Sequence, residues 1–191
     1  LLAAPSYSAM RVTPSATRPR QRWHGDNVGE TDESLKGEKH AMVGRDEYSN
    51  YCKGAGLRSL ETETTRDVYV RMTHVEPTKN EVARTDGGPE WKLNFAAGLR
   101  QDGTLHELSH ALKPQTNTGI ERYVQLGVQG VRVYYVQACL DYIFWVFAWV
   151  TYYRNFSIAT VNPDGSIPWV LFRPDHGPPP LAVPRGCLVY Y

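Results

Sequence analysis

The segment His106-Glu107-Leu108-Ser109-His110 has the H-E-x-x-H spacing of zinc hydrolases. On a helix, residues four apart share a face. His106 and His110 would then offer two nitrogens to one Zn²⁺, with Glu107 as general base toward a metal-bound water. The other histidines, His24, His40, His74 and His176, stand in no ligand spacing, and Cys52, Cys139 and Cys187 form no C-x-x-C pair. The sequence holds neither a phosphate-binding glycine loop nor a G-x-S-x-G nucleophile elbow.

Downstream, Asn162-Pro163-Asp164-Gly165 resembles the N-P-D-G element of intramembrane site-2-type zinc proteases. That resemblance implies Asp164 as the third zinc ligand. It covers nine residues, and that family sets its histidines in a membrane helix among further spans. Here the motif lies in a polar stretch between Gly103 and Pro114. Thr104 and Glu107 are also spaced as a capping box, and N-P-D-G is an ordinary turn tetrapeptide. A zinc metalloprotease using His106-Glu107-x-x-His110 is therefore the alternative reading. The leading one has no enzyme activity, no catalytic residue, no metal and no cofactor.

The elements that would position such residues are read from charge and periodicity. The 191 residues carry 21 Lys and Arg against 20 Asp and Glu, a net charge of +1, with a mean hydropathy of −0.45. Near-neutrality argues against general nucleic-acid binding, and three dispersed cysteines exclude a disulfide scaffold. The average conceals four regimes. Residues 1–25 hold four arginines and no acid, whereas 26–90 hold 14 acids against 9 bases. Residues 133–153 contain Asp141 as their one charge, and residues 154–191 hold seven of the 13 prolines. The Arg-, Ser- and Ala-rich leader has the composition of an organelle-imported chain, and a start at Leu1 suits a processed product.

Residues 26–60 read as irregular with short helices. Alternation predicts strands over 67–75 and 91–95, with turn chemistry in the T-D-G-G-P stretch between them. Thr104-x-x-Glu107 predicts a short helix over about 105–113. Thr118-x-x-Glu121 predicts a long one from about 119, running into residues 133–153.

That last stretch, VYYVQACLDYIFWVFAWVTYY, reaches about 31 Å as a helix, against a hydrocarbon core of ~30 Å. Tyr134, Tyr135, Trp149, Tyr152 and Tyr153 are spaced like two interfacial aromatic belts, and Arg132 and Arg154 flank them as snorkelling charges. Gly130, Gln137, Asp141 and Ala148 fall on one stripe, which reads as a helix-packing face toward another polypeptide.

The fold class expected from these features is a single-pass α-helical membrane protein with a small irregular α+β extramembrane region and extended N- and C-terminal arms. Its divisions are a basic N-terminal extension (1–25), a polar α+β region (26–117), a long helix with the span (118–153) and a Pro-rich C-terminal arm (154–191). The function expected is an accessory structural subunit of a respiratory-chain complex in the mitochondrial inner membrane. Its partners are neighbouring subunits and the lipid bilayer, without nucleic acid. ATP synthase or a plastid membrane complex is the next host.

Overall fold

A computed structural model of the chain describes residues 15–73, 79–109 and 118–182. At its centre is a five-stranded sheet in the order β3-β2-β1-β4-β5. The strands are β1 (Arg22–Val28), β2 (His40–Asp46), β3 (Cys52–Leu57), β4 (Val82–Thr85) and β5 (Leu105–Leu108). β1, β2 and β3 are joined antiparallel, whereas β4 lies parallel to β1 and β5 parallel to β4. Parallel pairing requires a crossover, and the helix between β3 and β4 supplies it.

Because side chains alternate along a strand, each face of the sheet has its own core. On one face Trp23, Met42, Leu57 and Ala83 pack with Val68, Tyr69 and Met72 of α1 (Thr62–Thr73), with Phe95 and Leu99 of α2 (Leu93–Gln101), and with Phe172 of α5 (Pro168–Phe172). On the other, Ala41, Val43 and Cys52 pack with α3 (Thr118–Ala138) and α4 (Trp145–Ala159).

The helix expected to span a membrane is two helices. Among the described residues no helix is long and apolar enough to cross one. The chain breaks where Cys139 takes a left-handed φ of 47° and Asp141 turns extended, its carboxylate accepting the Ile143 N–H at 3.1 Å. An aspartate that caps a helix start satisfies the backbone donors a new helix leaves open. A mid-membrane placement would have left it needing a partner. The single-pass fold class, the bilayer as partner and the inner-membrane location fall with the span that carried them.

The aromatic residues have a different task. Trp145, Trp149 and Tyr153 recur every fourth residue on one stripe of α4 and are almost fully buried. Each ends in a polar handle that donates to a backbone carbonyl: Trp145 Nε1 to Asp32 at 2.9 Å, Trp149 Nε1 to Met42 at 3.0 Å, and Tyr153 Oη to Tyr123 at 2.6 Å. Tyr and Trp suit such positions because body and tip need opposite surroundings. Two bare positions admit the rings. A Cβ on Gly54 would stand 2.6 Å from the Trp149 ring, and one on Gly127 would stand 2.2 Å from Tyr153 Oη.

Other expectations are also corrected. Residues 67–75 begin in helix α1, since Val68, Tyr69 and Met72 recur at helical rather than strand spacing. The expected strand over 91–95 is the end of a 3₁₀ turn (Pro89–Trp91) and the start of α2. The stretch read as irregular, 26–60, contributes strands β1, β2 and β3. The C-terminal region is not simply an extended arm, because α5 inserts Phe172 against Tyr51, stacked at 4.3 Å.

Gly54→Ala should lower the free energy of unfolding by about 1–3 kcal/mol, because the added methyl displaces a packed indole. Urea denaturation followed by tryptophan fluorescence reads this, and an unchanged midpoint would contradict the packing described.

Candidate active site

The H-E-x-x-H segment does not build a metal site. His106 and Glu107 lie on strand β5, where neighbours point to opposite faces, and His110 is outside the described residues. Glu107 accepts from Arg84 Nη2 at 2.7 Å and lies 3.4 Å from Arg22 Nε. His106 Nε2 pairs with Thr85 Oγ1 at 2.8 Å. Thr104, the supposed cap, donates instead to the Asn80 carbonyl at 2.9 Å. Asn162-Pro163-Asp164-Gly165 forms a turn in which the Gly165 N–H donates to the Asn162 carbonyl at 2.9 Å and Asp164 accepts from Ser166. The zinc-protease alternative is thereby overturned.

A different set of carboxylates comes together. Strand β1 pairs with β4 as Arg22↔Val82, Trp23↔Ala83 and His24↔Arg84. The same offset carried two residues further sets Asp26 beside Asp86, the first residue after β4. β1 and β4 stay close at that point, since a Cβ on Gly25 would be 3.7 Å from the Thr85 methyl carbon. Helix α3 packs against β1 and β2 and carries Glu121 in its first turn. Asp26, Asp86 and Glu121 thus come from a strand, a turn and a helix start at one end of the sheet.

Their mutual field is visible at Asp26. Its carboxyl is pushed up to about 6, first by burial, then by the negative charge of Asp86, with smaller contributions from Glu121 and Glu90. The Asn27 N–H, donating at 2.8 Å, opposes the rise only in part. The Gly88 N–H donates to Asp86 Oδ1 at 3.1 Å and folds the D-G-G turn back on itself. Among the described residues no three His, Cys, Asp or Glu side chains converge closely enough to form a finished metal cage. Like charges repel, so a splayed arrangement of the three acids is what electrostatics dictates here.

Behind Asp26 on the same face runs a belt of paired charges. Arg22 Nη1 donates to Glu47 at 3.1 Å, His24 Nε2 meets the same carboxylate at 2.8 Å, and Arg84 clamps Glu107. Burial alone would raise Glu47, but hydrogen bonds from His24, the Ala16 N–H and Arg22 hold it at about 2. Burial lowers His24, helped by Arg45 and Arg84. The belt fixes the bases of β1, β4 and β5 relative to one another.

The residues expected as a helix-packing face are divided. Gly130 lies against the Tyr152 ring and Ala148 is fully buried, while Gln137 and Asp141 are exposed. Of the expected interface anchors, Tyr134, Trp149 and Tyr153 are core residues. Tyr135 and Tyr152 are half-buried, and Arg132 and Arg154 are exposed.

Sequence reasoning passed over Asp26, Asp86 and Glu121. The turn residues around Asp86 and the helix start at Glu121 were both recognised, but as structure. The overlooked signal is a carboxylate at three element ends in succession.

Neither a protein-family model nor a curated protein matches the chain. Solved structures do. The HTLV-2 integrase catalytic core domain, determined in complex with magnesium, superposes with a TM-score of 0.65 at 17% identity, over 82% of this chain and 98% of that one. The chain of a simian T-cell lymphotropic virus intasome, determined in complex with a regulatory subunit of PP2A, gives 0.71 at 15% identity, covering 90% and 61%. The BIV integrase catalytic core domain gives 0.64 at 12% identity, covering 82% and 97%. At such identities the likeness speaks for the fold: an α/β, RNase H-like arrangement around a five-stranded mixed sheet.

Proposed function

We propose that the chain is a catalytic core that transfers phosphoryl groups in DNA, of the integrase or transposase kind, with Asp26, Asp86 and Glu121 as its metal-holding carboxylates. The observation that carries this reading is the placement of Asp86 and Glu121 around Asp26 at the carboxyl ends of the parallel β1–β4 pair, where their charges add to the burial that raises Asp26 to about 6. Two properties of the similar structures support it: the HTLV-2 integrase catalytic core domain was determined in complex with magnesium, and the simian virus chain belongs to an intasome.

The earlier expectations of a non-enzymatic accessory subunit, in a respiratory-chain complex, ATP synthase or a plastid complex, are withdrawn. They depended on the span, and the fold is instead shared with catalytic cores. So is the exclusion of nucleic acid. It was argued from a net charge of +1 over the whole chain, which says nothing about one local site.

The donor set fits a hard divalent cation: oxygen ligands, mutually repelling, with a raised carboxyl that a cation would return to its ionised form. When bound, Mg²⁺ at such a site activates the attacking oxygen and offsets charge building on the phosphate. The protein's own residues do the rest. Asp26 is held on β1, the central strand of the sheet. Asp86 is shaped by the Gly88 N–H, and α3 brings Glu121. Arg45, hydrogen-bonded to Asn50 at 2.9 Å and lying over the Tyr123 ring, stands within reach of Gly119 at the foot of α3. It places a fixed positive charge near the site.

Asp26→Asn, Asp86→Asn and Glu121→Gln should each reduce Mg²⁺- or Mn²⁺-dependent cleavage of a labelled DNA duplex by at least about 10³-fold. Circular dichroism should remain that of the native chain. Cleavage that persists in Asp86→Asn, or in excess EDTA, defeats the proposal.

Asp26 carries a second expectation, with a definite sign. A carboxyl raised in the folded state binds more protons there than in the unfolded chain, so stability falls as pH rises from about 4 through about 6. Without metal, Asp26→Asn should therefore stabilise the fold at pH 7, by about 1–2 kcal/mol after allowance for partial exposure, and should not do so at pH 4. Thermal melts at the two pH values measure this, and an equal shift at both would refute it.

A further inference from the structure

The histidine of the discarded zinc motif has a definite place beside the carboxylate site. His106 lies on β5 in register with Ala83 of β4, on the sheet face that also carries Thr85. Its ring is held edge-on by the fully buried Phe95, with centroids 5.4 Å apart. From there Nε2 reaches the Thr85 hydroxyl at 2.8 Å. Thr85 is itself 2% exposed, so its hydroxyl has no recourse to solvent. That hydroxyl donates to the Asp86 carbonyl at 3.1 Å. A hydroxyl has a single proton; when that proton goes to the Asp86 carbonyl, the oxygen accepts from His106 and Nε2 carries the proton between them. With the Nε2–H tautomer of His106 the relay runs from His106 Nε2–H to Thr85 Oγ1, then from Thr85 O–H to the Asp86 C=O. On the far side of the same residue, the Gly88 N–H holds the Asp86 side chain. Backbone and carboxylate of Asp86 are thus fixed by separate bonds, and the Ser109 N–H, donating to the Thr85 carbonyl at 2.7 Å, closes the strand pair around them.

We propose that His106 is a positioning residue for Asp86, acting through the Thr85 hydroxyl to fix the D-G-G turn that aims the carboxylate toward Asp26. The inference rests on the carboxylate reading above for its consequence in metal binding, and on the hydrogen-bond geometry alone for its consequence in the turn. It also gives the H-E pair of β5 a joint task. Adjacent residues on a strand point to opposite faces, so His106 secures the end of β4 from one face while Glu107 secures Arg84 from the other.

The test uses the full chain and two substitutions of similar length. His106→Gln keeps an N–H donor near the place of Nε2, whereas His106→Met fills the space without one. Ring-nitrogen NMR of the native protein should show the Nε2–H tautomer. His106→Met should weaken Mn²⁺ binding, measured by calorimetry, by about tenfold, as expected when an outer-shell partner is lost. It should also speed hydrogen exchange at the Gly88 amide and lower kcat for DNA cleavage with KM unchanged. His106→Gln should restore all three to within about threefold of native, the tolerance of a retained donor. Thr85→Val should match His106→Met, and the double variant should be no worse than either, because both remove one relay. An Nδ1–H tautomer, native Mn²⁺ affinity and Gly88 exchange in His106→Met, or failure of His106→Gln to rescue, each overturns the proposal. Should Asp86→Asn leave Mn²⁺ affinity and cleavage untouched, the carboxylate reading fails, while Gly88 exchange in His106→Met still decides whether the relay holds the turn.

Discussion

The parallel pairing of β1 with β4 sets nearly everything else in this molecule. One offset places Arg22 by Val82, His24 by Arg84 and, beyond the last bonded pair, Asp26 by Asp86. A slip of one residue would turn every side chain of β1 to the wrong face. Trp23 would leave its core, and the Arg22–Glu47–His24 belt would lose its anchor. The charge belt and the apolar core thus enforce the same register from opposite faces. Burial at the strand end, reinforced by the charge of Asp86, raises Asp26, while the charges behind it on β1 and β4 are paired.

The α3–α4 hairpin shows how a soluble-type core and a membrane span can share a composition. A helix facing a sheet needs an apolar stripe, and the Trp149 and Tyr153 rings fill the space over bare Gly54 while Val146 fills that over Gly56. Tyrosine and tryptophan then satisfy strand and helix carbonyls that aliphatic residues would leave covered and unpaired. Over 21 residues, that solution and an aromatic-belted span look alike by residue type. The difference lies in two residues, Cys139 and Asp141, whose backbone angles a composition cannot report.

Some of the architecture was legible. The start of α3 at Thr118 and the turns at T-D-G-G-P and N-P-D-G follow from local chemistry that the fold left intact. The sheet was not legible. β1 carries Arg22, His24 and Asp26 on the face where an apolar residue is expected, so its alternation is masked by ions paired through distant partners such as Glu47 and Glu107. β3 is interrupted by glycines that serve α4 rather than a turn. α1 alternates by coincidence over the residues it buries at helical spacing. The carboxylates escaped notice because each has a local explanation, and their common meaning exists only once β4 lies beside β1.

That dependence has a temporal side. β1, β2 and β3 are sequence neighbours joined antiparallel, and such local pairings form early at small entropic cost. β4 reaches β1 only after α1 has crossed the sheet, closing a loop several times longer. A nascent or partly folded chain can therefore own the complete hairpin sheet while Asp26 still lacks Asp86. Asp26 and Asp86 are therefore brought side by side by the contact of the sheet that closes the longest loop. The topology makes the candidate site a product of long-range closure rather than of any local pairing.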